Sequence, residues 1–333
     1  MKTASVMIQT LCVPCCNRCR HCLLSWSGTV EGAAWDRSVA VAERFLCELK
    51  AQRPEIEGSF SFGCSMEHPD LPGALRTLRR LGSPSARFLQ CDGMRMRDDE
   101  QCRALMRILR GEGVRQLNFT VYGLSDYHDR FAGRPGDYAL ILRMMHAAGE
   151  AGLPFSAGIP LTGENLHEAD ELVSVLRAAG CERVFLTVPH EEGRGKALAS
   201  VRLDLREFRQ LLPETQALLN QSVFRTERAW LSDSEPLRDS RRMILISLRQ
   251  DNIEDYEARG ALEVLQETEA LDERYYAAFP SFAALAEAYG DPNGEKLYRV
   301  RDLYHHYRMQ YARDHKLRVY DVTDERQSGS RRY

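Results

Sequence analysis

Five cysteines fall within eleven residues near the start of the chain: Cys12, Cys15, Cys16, Cys19 and Cys22. Thiolates so close together on one short segment suit a metal or an iron–sulfur cluster. Two triplets share the spacing C-x3-C-x2-C, namely Cys15, Cys19, Cys22 and Cys12, Cys16, Cys19. The later triplet is preferred, because Arg18-Cys19-Arg20-His21-Cys22 places a ring just before its third cysteine. Cys12 and Cys16 then serve as small buried hydrophobes. Three thiolates can hold three irons of a [4Fe–4S] cube and leave the fourth open, whereas a four-cysteine site is closed. Zinc sites favour paired C-x2-C units with a second pair later, and no such later pair exists here.

Cys47, Cys64, Cys91, Cys102 and Cys181 are scattered, and none follows Cys181. Ten cysteines in 333 residues is not a disulfide framework. The first dozen residues carry Lys2 alone as a basic start, and cysteines stand where small residues would mark cleavage. No signal peptide is therefore expected, and the expected compartment is the reducing cytoplasm.

Alternating short elements must position these thiols. Strand-like runs are Ser5–Leu11, Gly58–Gly63, Ala86–Gln90, Gln116–Tyr122, Pro154–Ile159 and Arg183–Val188. Amphipathic stretches lie between them, near Asp36–Ala51, Leu71–Leu81, Asp98–Arg110, Asp137–Ala151 and Asn165–Ala179. Gly111, Gly152 and Gly180 stand where C-terminal caps belong. This rhythm predicts parallel βαβ units, in a partial or full barrel or in a doubly wound sheet. In a barrel, the cysteines follow the first strand at its C-terminal end, where active sites are built. After about residue 205 the rhythm changes. Leu205–Asn220 reads as a helix, Arg242–Leu248 as a strand, Leu297–Asp314 as a final helix and Leu317–Asp321 as a short strand.

Hydrophobic residues are 44%, charged residues 28% and the net charge is -3. That composition excludes whole-chain disorder. No run of about 18 apolar residues exists, so no membrane span is expected. Nor does so balanced a charge suit a bulk nucleic-acid binder. One local exception is the stretch 297–318, where Arg299, Arg301, Arg308 and Arg313 alternate with Tyr298, Tyr304, Tyr307 and Tyr311. Basic and aromatic residues together can bind RNA, and they also make a solvated amphipathic helix over a barrel.

The cysteine loop resembles the signature of the radical SAM superfamily, and the resemblance extends over roughly residues 5–200. Phe62-Gly63-Cys64-Ser65, with His68-Pro69-Asp70-Leu71 behind it, resembles the family's Gly-Gly-Glu-Pro segment and its sequel. Cys91-Asp92-Gly93 resembles the Thr-Asn-Gly turn, and Thr120-Val121-Tyr122-Gly123 with His128-Asp129 the Ser-Leu-Asp-Gly strand and its trailing His-Asp. Gly193-Arg194-Gly195 after the sixth strand fits as well.

The resemblance implies an α/β fold: a partial (β/α)6 TIM-like barrel over residues 1–205, a mostly helical C-terminal extension over 206–324 and a tail over 325–333. It implies a [4Fe–4S] cluster on Cys15, Cys19 and Cys22, and S-adenosylmethionine (SAM) bound at the open iron. One electron then cleaves the sulfonium and yields a 5′-deoxyadenosyl radical that abstracts hydrogen from a substrate; the cofactors do the hard chemistry. By position, Gly63, Cys64 and Ser65, with Glu67 as a shifted alternative, stand where the cofactor's ammonium binds. Thr120 stands where a hydroxyl meets the ribose, and Gly158 where strand five lines the adenine. Cys64 and Cys91 fall near strand ends and are candidates for direct chemistry; the other reading is half-buried small side chains. Tyr122, His128, His190 and Arg194 lie on the same side.

Expected partners are a reductase such as flavodoxin or ferredoxin and an unidentified substrate, whether small metabolite, peptide or nucleoside. The cluster's exposed iron implies a low-oxygen setting. Two other readings stay open: an iron–sulfur protein without SAM turnover, and an RNA-binding protein with a structural metal.

Overall fold

The computed structural model describes residues 2–10, 15–22, 32–63, 65–191, 193–233, 236 and 241–317. Cys12, Cys64, the expected strand beyond Leu317 and the tail 325–333 lie outside the described residues.

Six parallel strands and their crossovers form the first half. The strands are β1 (Lys2–Thr10), β2 (Glu57–Phe62), β3 (Phe88–Gln90), β4 (Gln116–Thr120), β5 (Phe155–Pro160) and β6 (Arg183–Thr187). Parallel neighbours need crossover connections, and helices supply them. These are α1 (Trp35–Gln52), α2 (Leu71–Arg80), α3 (Asp99–Gly111), the pair α4 (Ser125–Ala132) and α5 (Asp137–Glu150), and α6 (Ala169–Ala178). Local chemistry sets their starts. Asp70 accepts from Gly73 N (3.0 Å) to open α2. Asp98 and Gln101 form a reciprocal capping box at α3. β5 is buried at every position, as a strand covered on both faces must be.

The rest of the chain mixes short elements with two long helices. They are α7 (Leu205–Phe208), α8 (Pro213–Gln216), β7 (Arg225–Thr226), α9 (Glu227–Leu231), β8 (Arg241–Leu248), α10 (Ile253–Ala258), α11 (Ala261–Ala277), α12 (Phe282–Tyr289), β9 (Leu297–Tyr298) and α13 (Val300–Asp314).

Two parallel sheets result, ordered β2-β1-β8 and β3-β4-β5-β6. This is the mixed α/β architecture with parallel sheets and a helical C-terminal region. One core runs through it, with Ile8, Phe60, Phe119, Ala157 and Leu186 from five strands. β8 pairs in parallel along the whole of β1, from Lys2↔Arg241 to Thr10↔Leu248. The region after residue 205 thus supplies a strand beside the one that carries the cysteine loop.

Three boundaries differ from the sequence reading. Leu205–Asn220 is not one helix, because Pro213 starts a new one and the preceding Leu212 is extended (ψ 143°). Leu297 and Tyr298 leave the last helix to pair with β7. Gly152 and Gly180 have the positive φ of caps, but after α3 that conformation falls to Gly113 (φ 76°) rather than Gly111.

A second core joins α9, α12 and α13 around Trp230, Phe282 and Tyr307. Tyr307 is fully buried and donates to Glu227 Oε1 (2.6 Å). Tyr298 and Tyr307 thus pack inward, which leaves neither ring for stacking on a base. Among the described residues no helix is long and apolar enough to cross a membrane.

Candidate active site

The loops that leave the C-terminal ends of the strands converge on residues 15–22. Cys16, expected to be buried, is exposed, and its N donates to Gly93 O (2.9 Å), in the loop after β3. Arg18 N and Arg20 N donate to Ala132 O (2.8 Å) and Phe131 O (2.9 Å), at the end of α4. Asn17, nearly buried, donates to Asp137 Oδ2 (2.8 Å) at the start of α5. Arg20 pairs with Glu164 after β5 (2.5 Å). From the loop after β6, Arg194 donates through N to Cys22 O (3.0 Å) and through Nε to Cys19 O (2.9 Å). Four strand-end loops therefore fix a segment that has no regular structure of its own.

Close approach makes two glycines necessary. A Cβ on Gly93 would overlap the Sγ of Cys15, and one on Gly195 would overlap the carbonyl oxygen of His190. Gly93 also has φ 65°, which alanine disfavours.

The loop folds so that Cys15 and Cys22 both act on Cys19. Cys22 N donates to Cys19 O (3.2 Å) across a turn. Burial pushes the Cys19 thiol up to about 12, helped by the charges of Asp92, Cys15 and Cys22 and opposed by a hydrogen bond from Tyr122. Such a thiol loses its proton only to a strong positive charge, which a bound metal centre provides. Among the described residues no three His, Cys, Asp or Glu side chains converge tightly enough to hold a single metal ion. A cluster needs no such convergence, because each thiolate takes a separate corner. The three thiols on one braced loop, with space for Cys15 made by Gly93, fit that group.

Beside them lies a polar rim at the ends of β3 and β4. Asp92 accepts from Thr120 N (3.1 Å), Thr120 Oγ1 (2.9 Å) and Gln90 Nε2 (2.6 Å). Burial pushes the Asp92 carboxyl up to about 6 against these three hydrogen bonds. His21 sits between two of the cysteines with its ring 5.1 Å from that of Tyr122. Burial, with the charges of His190 and Arg194, holds it down at about 4, so it is neutral at pH 7.

Other expected residues are placed as follows. Gly63 closes β2 and donates to Thr10 O (3.0 Å), and Ser65 begins the single turn Ser65–Glu67. Glu67 is buried against Arg97 (2.6 Å) and Arg95 (2.7 Å), so its carboxylate is already paired. Gly158 lies inside β5 and makes room for the Phe185 ring. Cys91 has no exposure; its thiol points to Leu89 O (3.8 Å), and burial in the apolar core pushes its pKa well up. That is an inert environment for a thiol. His128 is fully buried, linking Tyr122 N (3.1 Å) to Asp137 (3.2 Å). His190 bonds Asp302 Oδ1 (2.7 Å), a nearly buried carboxylate on α13 that Arg299 also meets (3.1 Å).

Sequence reading had not nominated Asp92, Gln90, Asp137 or Asp302 for the site. Asp92 carried a signal, standing inside a recognised turn. Asp302 carried none, since only the fold brings α13 to the loop after β6.

Residues 12–176 match the model of the radical SAM superfamily, and this part of the chain is a radical SAM domain. No curated protein sequence matches the chain significantly. Among solved structures, it is similar to SuiB of Streptococcus suis bound to its precursor peptide SuiA. There the identity is 14%, the match covers 73% of this chain and 58% of SuiB, and the TM-score is 0.50. SuiB bound to S-adenosylmethionine matches at 14% identity, 73% and 50% coverage and TM-score 0.45. Coproporphyrinogen III oxidase of Escherichia coli matches at 12% identity, 74% and 63% coverage and TM-score 0.42. The chain thus spans somewhat over half the length of SuiB, and the likeness is one of fold.

Proposed function

We propose that this chain is a radical SAM enzyme. Cys15, Cys19 and Cys22 hold a [4Fe–4S] cluster, and SAM binds at its open iron. When bound, these groups supply one-electron cleavage of the sulfonium and a radical that takes hydrogen from the substrate. The observation that carries the reading is the cysteine loop itself, in which Cys15 and Cys22 both act on Cys19 and which is braced by four strand-end loops. The residues around it suit the parts of SAM. Backbone carbonyls of Gly63–Ser65 are acceptors for an ammonium whatever the side chain. Asp92, Thr120 and Gln90 offer a polar rim for hydroxyls. The electron comes from a small reductase such as flavodoxin or ferredoxin, and the substrate is a small metabolite, peptide or nucleoside.

Glu67 favours one rival. Its carboxylate is ion-paired to Arg95 and Arg97, which share a hydrogen-bonding grip on Oε1, although Oε2 accepts no hydrogen bond. An iron–sulfur protein without SAM turnover would look the same there. The test is anaerobic reconstitution, reduction, addition of SAM alone and quantification of 5′-deoxyadenosine by mass spectrometry. Product above the no-enzyme control is expected. A clustered protein that neither yields product nor binds SAM in direct titration refutes the enzyme reading and leaves the rival.

A further inference from the structure

Tyr122 follows β4 and is 2% exposed. Its backbone is gripped on both sides: its N–H donates to His128 Nδ1 (3.1 Å), and its carbonyl accepts from Asn165 Nδ2 (2.6 Å). Its ring stacks on Phe131, centroid to centroid 4.6 Å. A buried tyrosine hydroxyl requires a partner. Here the O–H donates to the Sγ of Cys19 at 3.2 Å.

The grip has a second end on the same loop. His128 Nδ1 accepts from Tyr122, so Nε2 carries the ring proton and faces Asp137 Oδ2 (3.2 Å). Asp137 in turn accepts from Asn17 (2.8 Å), two residues before Cys19. The chain of contacts Cys19–Tyr122–His128–Asp137–Asn17 leaves the cysteine loop and returns to it. Outer partners of this kind orient a ligand and adjust its electronics.

We infer that Tyr122 is a positioning residue for the iron–sulfur cluster, holding Cys19 and setting the cluster's reduction potential through the O–H···S hydrogen bond. The inference rests on the proposed function, in which Cys19 is a ligand. An O–H donor draws electron density from a thiolate. The reduced cluster carries one more negative charge than the oxidised one, so the bond stabilises it more and raises the potential. Burial strengthens the effect, because few water dipoles compete. The electron comes from the external one-electron reductant, and Tyr122 gives up neither electron nor proton.

The test is an anaerobic redox titration, followed by the EPR signal of the reduced cluster, on the full chain reconstituted with iron and sulfide. Wild type is compared with Tyr122→Phe and with protein carrying fluorotyrosine in place of Tyr122. Phenylalanine keeps the ring and deletes the donor, so the midpoint is expected to move to a more negative potential at unchanged iron content. Fluorotyrosine is the stronger donor, so its midpoint is expected to move the other way. A merely structural role predicts no such opposition of sign. Equal midpoints, or shifts of one sign, overturn the inference. If Tyr122→Phe loads no iron, the fluorotyrosine protein decides by the sign of its shift. A wild-type chain that takes up no cluster refutes the underlying function and the inference with it.

Discussion

Replacing Gly93 by alanine strikes the point where the loop after β3 meets the cysteine loop. Two costs can be separated. Gly93 has φ 65°, and the left-handed region costs a residue with a side chain about 1–2 kcal/mol. Alanine recovers about 0.4–1 kcal/mol by restricting the unfolded chain, so the backbone part nets about 1 kcal/mol. The second cost is the overlap with Cys15. The new methyl would meet its Sγ and stand 3.4 Å from its Cβ and 3.6 Å from its Cα. The neighbour is a short side chain on a fixed backbone, so overpacking adds about 1–3 kcal/mol. The total is about 2–4 kcal/mol, and relief requires Cys15 to leave its place.

Gly82 isolates the first cost. It has φ 70°, and a Cβ there would meet nothing within 4 Å. The assay is guanidinium unfolding of both variants and wild type, with iron content measured after anaerobic reconstitution. Gly82→Ala is expected to lose about 1 kcal/mol or less and to keep its iron. Gly93→Ala is expected to lose more and to load little iron. Full iron in Gly93→Ala, with a stability loss no larger than in Gly82→Ala, would refute the claim that Gly93 makes space for a ligand.

Two further outcomes follow from named groups. Cys19 belongs to both candidate triplets, so Cys19→Ala should load no iron; Cys12→Ala should load fully, and iron lost there but kept in Cys22→Ala would move the site to the earlier triplet. Acid stability should report Glu191: burial pushes its carboxyl up, but His306 and Arg202 outweigh this and hold it at about 2. The gap from the usual 4.5 is worth ~3 kcal/mol. Between those pH values the unfolded chain binds the proton and the folded one does not, so this contribution is present above pH 4.5 and lost as pH falls towards 2. Denaturant titrations over that range should fall more steeply in wild type than in Glu191→Gln, and equal slopes would deny the depressed pKa.

What was legible in the sequence depended on the range of the cause. Strand–helix alternation is written locally, in apolar periodicity and in capping glycines such as Gly152 and Gly180, so six strands and the five helical stretches between them could be read. The helix expected over 205–220 failed because one residue, Pro213, overrode an apolar pattern. The cysteine triplet was visible because its spacing is short. What holds it was not, since Asn17 reaches Asp137 across 120 residues and Arg194 reaches Cys19 across 175. Cys91 misled for a related reason. A strand-end position suggests the mouth of the barrel, but its side chain faces inward to Leu89 and the core.

Long-range supports also tie the residues after the sixth strand to the cysteine loop. The loop after β6 is held from two sides. On one, Arg194 grips the carbonyls of Cys19 and Cys22. On the other, α13 takes His190 through Asp302 and Glu191 through His306 (2.8 Å), while Arg202 ties Glu191 (2.6 Å) to Leu297 O (2.9 Å). Loops are the least rigid parts of a barrel, and a ligand set built on them needs outside restraint. β8 restrains β1 from its open edge in the same way. Residues beyond 205 therefore stabilise both the strand before the cysteine loop and the loop that clasps its end, although they contribute no cysteine to it.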